Sequence, residues 1–116
     1  MNPAMLEFMN ELAKSMFQPI IQTFTENDVD YAVREEVYLP ELVATLAPQY
    51  LVQLKQIASS VPKSMIDQFE LKHLLMWMKE KEPAKYKWFI DGNYKHRKRL
   101  QWLKWNVEGF KKYVKG

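Results

Sequence analysis

Six prolines divide this chain, and most of them stand where a helix can begin. Proline is tolerated in a first helical turn because the N–H it lacks has no partner there anyway. Between the prolines, apolar residues recur at steps of three and four, the period of a helix packed on one face. After Asn2-Pro3, a cap and a first-turn proline, Met5, Phe8, Met9, Leu12, Met16 and Ile20 predict a helix over residues 3–24. Pro19 falls inside that span and predicts a kink or break near residues 17–18.

Residues 25–28 read as a turn. Residues 29–38 fit a strand alternation about as well as a helical one. No second segment of strand character exists to pair with them, and a lone strand leaves its backbone groups unsatisfied, so helix is the better expectation. A short helix over 40–47 stops at Pro48, which opens another over 48–59. Residues 65–81 are apolar around most of a helical circumference, which predicts one central helix packed on several sides. Pro83 starts a short helix, and Asp91-Gly92-Asn93 stops it. A last helix is expected over 94–114. Its stripe His96, Leu100, Leu103, Val107, Phe110, Val114 repeats as an a/d seam against a neighbouring helix of this or another chain. The expectation is an all-α, compact single domain over residues 1–116, a bundle of five or six helices with a long C-terminal one. At 116 residues the chain is of ordinary single-domain size.

Composition narrows the chemistry. The absence of Cys removes disulfides, thiolate metal sites and a cysteine nucleophile. Three glycines, Gly92, Gly109 and Gly116, form no phosphate-cradling loop. His73 and His96 are the two histidines, and neither has a second ligand at metal spacing. His73 lies at helical spacing from Ile66, Phe69, Met76 and Trp77 and reads as a core histidine with one local hydrogen bond. Glu26, Asp28 and Asp30 resemble the start of a calcium loop, but the position that needs glycine is Tyr31. Capping explains these acids better, and Arg34-Glu35-Glu36 reads as solvated surface. None of Ser15, Thr23, Thr25, Thr45, Ser59, Ser60 and Ser64 sits in a nucleophile elbow. A non-enzymatic protein without metal or cofactor is expected. No apolar run is long enough to span a membrane, and no signal peptide opens the chain, so the expected location is cytoplasmic.

The net charge of +3 conceals a split. Residues 1–58 hold three basic residues against eight acids, net −5, and residues 59–116 hold fourteen against six, net +8. Within residues 85–116 stand ten basic residues and two acids. Such asymmetry points to an anionic partner. On a wheel of the last helix with Leu100 at zero, the seam falls between roughly 280° and 340°. Arg97, Lys98, Lys104, Lys111, Lys112 and Lys115 fall between roughly 20° and 160°, with Tyr94 and Trp105 among them. Lys95 and Arg99 add to the N-terminal cluster.

Cations can approach phosphates and release their counterions, and flat rings can stack on unpaired bases. The candidate binding residues are therefore Tyr94, Lys95, Arg97, Lys98, Arg99, Lys104, Trp105, Lys111 and Lys112, with nucleic acid as the expected partner. The competing expectation is an acidic protein surface or a second copy of the chain, since Trp, Tyr and Arg are the usual interface anchors. A helix-turn-helix over 40–59 is rejected, because its second helix would carry Lys55 as its lone cation.

Overall fold

The computed structural model of the chain describes residues 3–38, 40, 41, 44 and 48–116. Among the described residues, seven helices have defined bounds: α1 Pro3–Thr23, α2 Glu26–Arg34, α3 Pro48–Ser60, α4 Lys63–Asp67, α5 Leu71–Lys81, α6 Pro83–Ile90 and α7 Lys95–Lys115. The described residues contain no strand, so the chain is an all-α single domain with a long C-terminal helix. The helix expected over 40–47 falls largely outside the described residues.

α1 runs unbroken through Pro19. Proline at position 19 cannot donate to the carbonyl of Ser15. The Tyr50 hydroxyl of α3 donates to that carbonyl instead, at 3.2 Å. The phenol is buried, which pushes its pKa well above the ordinary tyrosine value. At the far end of α1, Lys85 of α6 donates to the carbonyls of Ile21 and Phe24. A cation there satisfies terminal carbonyls and complements the helix dipole.

α2 resolves the ambiguity of residues 29–38 in favour of helix as far as Arg34. Thr25 caps it reciprocally with Asp28: Thr25 Oγ1 accepts from the Asp28 N–H and the Asp28 carboxylate accepts from the Thr25 N–H. Those bonds hold the Asp28 carboxyl below its ordinary pKa. The helix ends in a Schellman turn, with Val37 N–H donating to Ala32 O and Glu36 N–H to Val33 O. That turn requires a left-handed residue, and Glu36 supplies it at φ 52°.

The single helix expected over 65–81 is two helices. Glu70 is extended (φ −132°, ψ 166°), and its N–H donates to Nδ1 of His73 at 2.9 Å. The break carries Phe69 into the core, where it stacks on Phe17 at 6.1 Å and on His73 at 5.9 Å. His73 is buried. Nor is α5 the central helix: it packs on α1, α6 and α7 and leaves Met76 exposed. The hub is α7, which packs on α2, α3, α4, α5 and α6. Its seam residues Leu103, Val107, Phe110 and Val114 are buried within this chain. His96, at the start of that stripe, is only half-buried. The helices form a slab 38 × 34 × 19 Å, so an element on either face has one side in solvent. Among the described residues, no helix is long and apolar enough to cross a membrane.

Candidate functional site

The first turn of α7 begins after Asn93, whose side chain accepts the Lys95 N–H at 2.9 Å. No acid occupies that first turn. Lys95, Arg97 and Lys98 stand there instead, at the positive end of the helix dipole, where cations are disfavoured. All three are exposed, as are Lys104 and Lys112 further along. Among the described residues none of these five side chains makes an ion pair.

Two cations grouped with them in the sequence are elsewhere. Arg99 is 6% exposed and lies under the surface, not on it. Its Nε pairs with Asp30 of α2 at 3.2 Å, its Nη1 donates to the Trp88 carbonyl of α6 at 3.1 Å, and its guanidinium covers the Trp88 ring at 3.8 Å. It therefore joins three helices. Lys111 is 9% exposed, donates to the Asp67 carbonyl at 3.0 Å and pairs with Glu108 at 3.6 Å. Lys115 binds the Asp67 carboxylate and holds that carboxyl below its ordinary pKa. The last turns of α7 are thus tethered to the C-terminal end of α4, and the outward-facing charge concentrates in the N-terminal two-thirds of α7.

Trp105 and Tyr94 are both exposed, at 41% and 75%. Trp105 is nevertheless held. The Tyr38 ring meets it edge-on at 4.1 Å between centroids, and the Tyr38 hydroxyl donates to the Trp105 carbonyl at 3.1 Å. Tyr38 can lie this close to α7 because position 109 is glycine: a Cβ there would overlap the Tyr38 ring. A glycine inside a helix costs about 1 kcal/mol relative to alanine, and the close approach of Tyr38 is what it permits. Trp102, by contrast, is buried, with its indole N–H donating to the Val37 carbonyl at 3.0 Å.

Between the end of α2 and the first half of α7 runs an open groove of about 600 Å³. Its α7 side carries Tyr94, Lys95, Lys98, Gln101 and Trp105, with Arg99 and Trp102 beneath. Its α2 side carries Asp30, Val33, Arg34 and Glu36. Lys98, Gln101, Trp102 and Trp105 follow the i, i+3, i+4, i+7 rule, so they share one stripe of α7. Of the residues singled out from the sequence, Tyr94, Lys95, Lys98, Arg99 and Trp105 line this groove. Arg97, Lys104 and Lys112 do not line it and lie exposed elsewhere on α7. The α2 wall went unforeseen, since Arg34-Glu35-Glu36 carries no signal beyond that of a solvated surface. Its one anomaly is Glu36, a non-glycine residue in the left-handed region at the rim of the groove.

The wall of the groove is amphoteric. Cations dominate along α7, and carboxylates face them from α2, where Asp30 is engaged by Arg99 and Arg34 pairs with Glu35 at 3.4 Å. Such a site can hold an anion against α7 and a hydrogen-bond donor against α2. Comparison of the chain with models of protein families, with curated protein sequences and with solved structures finds no match, so the chemistry of the groove rests on its own residues.

Proposed function

We propose that the protein is a small non-enzymatic binding protein that contacts nucleic-acid phosphates through the exposed face of α7. The observation that carries this reading is the company Lys98 keeps. It stands with Lys95 in the first turn of α7, unpaired among the described residues, in the same groove as the exposed, pinned ring of Trp105. Cations crowded at the positive end of a helix destabilise that helix, and a bound phosphate would relieve the repulsion while accepting from its donors. The exposed Arg97 and Lys104 extend the positive surface beyond the groove. Phosphate contacts of this kind position a nucleic acid without selecting its sequence.

The test is electrophoretic retardation of DNA and RNA at low salt, with the triple variant Arg97→Ala, Lys98→Ala, Lys104→Ala beside the parent chain. The expected result is retardation that the triple variant weakens equally for unrelated sequences. Absence of retardation for every probe contradicts the reading.

One observation favours a second reading, a protein interface. Tyr31 of α2 is exposed as well, with the Arg34 guanidinium over its ring at 5.6 Å, and Tyr, Trp and Arg are common interface anchors. The partner in that case is the acidic half of a second copy. It predicts a dimer by light scattering that Trp105→Ala converts to monomer; a parent chain that is monomeric at high concentration contradicts it.

A further inference from the structure

We infer, building on the nucleic-acid reading, that the α2–α7 groove is a single-strand site: an unpaired base stacks on Trp105 while the adjoining phosphate meets Lys98. Three observations lead there.

The first is the state of the Trp105 ring. It is exposed, yet the Tyr38 ring packs T-shaped against it at 4.1 Å between centroids, and the Tyr38 hydroxyl bonds the backbone beneath it. A ring fixed in advance loses little freedom on binding, so the energy of stacking is retained as affinity. Only unpaired nucleic acid offers base faces to such a ring, since a duplex stacks them on one another.

The second is the distribution of charge across the groove. The α2 wall carries the carboxylates of Asp30, which Arg99 engages, and of Glu36, beside the cation Arg34, and the α7 wall carries Lys95 and Lys98. The second backbone of a duplex would bring phosphates against those carboxylates. A base brings its ring N–H and amino groups, which carboxylates accept. The two walls therefore orient one nucleotide, phosphate toward α7 and base edge toward α2.

The third is size. About 600 Å³ lies in the range of pockets that take a small planar ligand, and the exposed Arg97 and Lys104 offer a path for the strand outside it.

The experiment compares three probes of equal length by fluorescence anisotropy at low salt: a single strand, a blunt duplex, and an abasic strand with the same phosphates. Charge alone favours the duplex, which carries the most phosphates. The inference predicts the reverse, with the single strand bound about tenfold or more tighter than the abasic strand and tighter than the duplex. Trp105→Ala should remove that preference, whereas Trp105→Phe, which keeps a ring, should retain most of it. Arg97→Ala with Lys104→Ala should weaken all three probes alike. Equal binding of the three probes by the parent chain overturns the single-strand site while leaving phosphate binding intact. Failure to bind any probe overturns the nucleic-acid reading itself and turns attention to a protein partner.

Discussion

The ring of Tyr38 occupies the space that a side chain at Gly109 would fill. Because it lies there, its hydroxyl reaches the Trp105 carbonyl and its ring braces the Trp105 indole. A glycine buried in the middle of α7 thereby sets the stiffness of an exposed ring one helical turn away.

Gly109→Ala should consequently destabilise the fold, although alanine is the better helix former. Overpacking of this kind costs about 1–3 kcal/mol. In a Tyr38→Ala background the obstacle is gone, and the same Gly109→Ala change should stabilise by about 1 kcal/mol. Urea unfolding of the four chains in that cycle measures the reversal of sign. Additive effects would show that Tyr38 does not hold this position in solution.

Arg99 is a structural cation. Arg99→Ala removes its bond to the Trp88 carbonyl, its pairing with Asp30 and its contact with the Trp88 ring. The expected loss is about 2–3 kcal/mol, read as a lower urea midpoint. Arg99→Lys should recover little of it, because an ammonium cannot serve the two acceptors and the ring face together. By contrast, Arg97→Ala should leave the midpoint nearly unchanged.

The positive end of α7 carries a stability cost that substitution can remove. Lys98→Glu places an anion where the dipole favours one and should raise stability by about 0.3–1 kcal/mol. The same variant should lose nucleic-acid binding. Thermal unfolding and retardation measured on one preparation test the pair of outcomes, and a variant both more stable and equally active would separate Lys98 from the site.

Much of the architecture was legible because prolines and three-to-four spacing survive in the amino-acid order. α1, α3, α6 and α7 lie within a residue or so of where those signals place them. The break at residues 68–70 was hidden, because apolar residues continue at helical spacing across it and the cap is a histidine nitrogen rather than a usual capping side chain. Arg99 was legible but misgrouped. On the wheel it stands at roughly 260°, beside Phe110 at roughly 280°, so its angle marks a buried position while its neighbours in the chain suggest an exposed one. The α2 wall of the groove was not legible at all. It arises from packing between segments about seventy residues apart, fixed by the Arg99–Asp30 pair at |i−j| = 69, and no local pattern encodes that.

His73 makes stability depend on pH. Its Nδ1 accepts from the Glu70 N–H, and its Nε2 is buried with no hydrogen-bond partner among the described residues. Burial, helped by the charge of Lys72, lowers its pKa from 6.5. The unfolded chain therefore takes up this proton before the folded one does. Stability from the neutral ring is fully present above pH 6.5 and declines as pH falls toward the lowered value in the folded state. The thermal midpoint should fall between about pH 7 and pH 5, above the range in which carboxylates such as Asp28 and Asp67 titrate. His73→Phe, which cannot be protonated, should flatten that decline even if its midpoint is lower throughout. An undiminished decline in the variant would move its origin away from His73.

The central claim is that exposed cations on α7 meet phosphates, and the salt dependence of single-strand binding tests it most directly. Affinity for an unstructured oligonucleotide is measured by anisotropy from low to physiological salt. Engagement of three or four of Lys95, Arg97, Lys98, Lys104 and Lys112 predicts a slope of log affinity against log salt of about −2 to −3, and Lys98→Ala should make it shallower by about 0.7. A slope near zero, or no binding at the lowest salt, would contradict it.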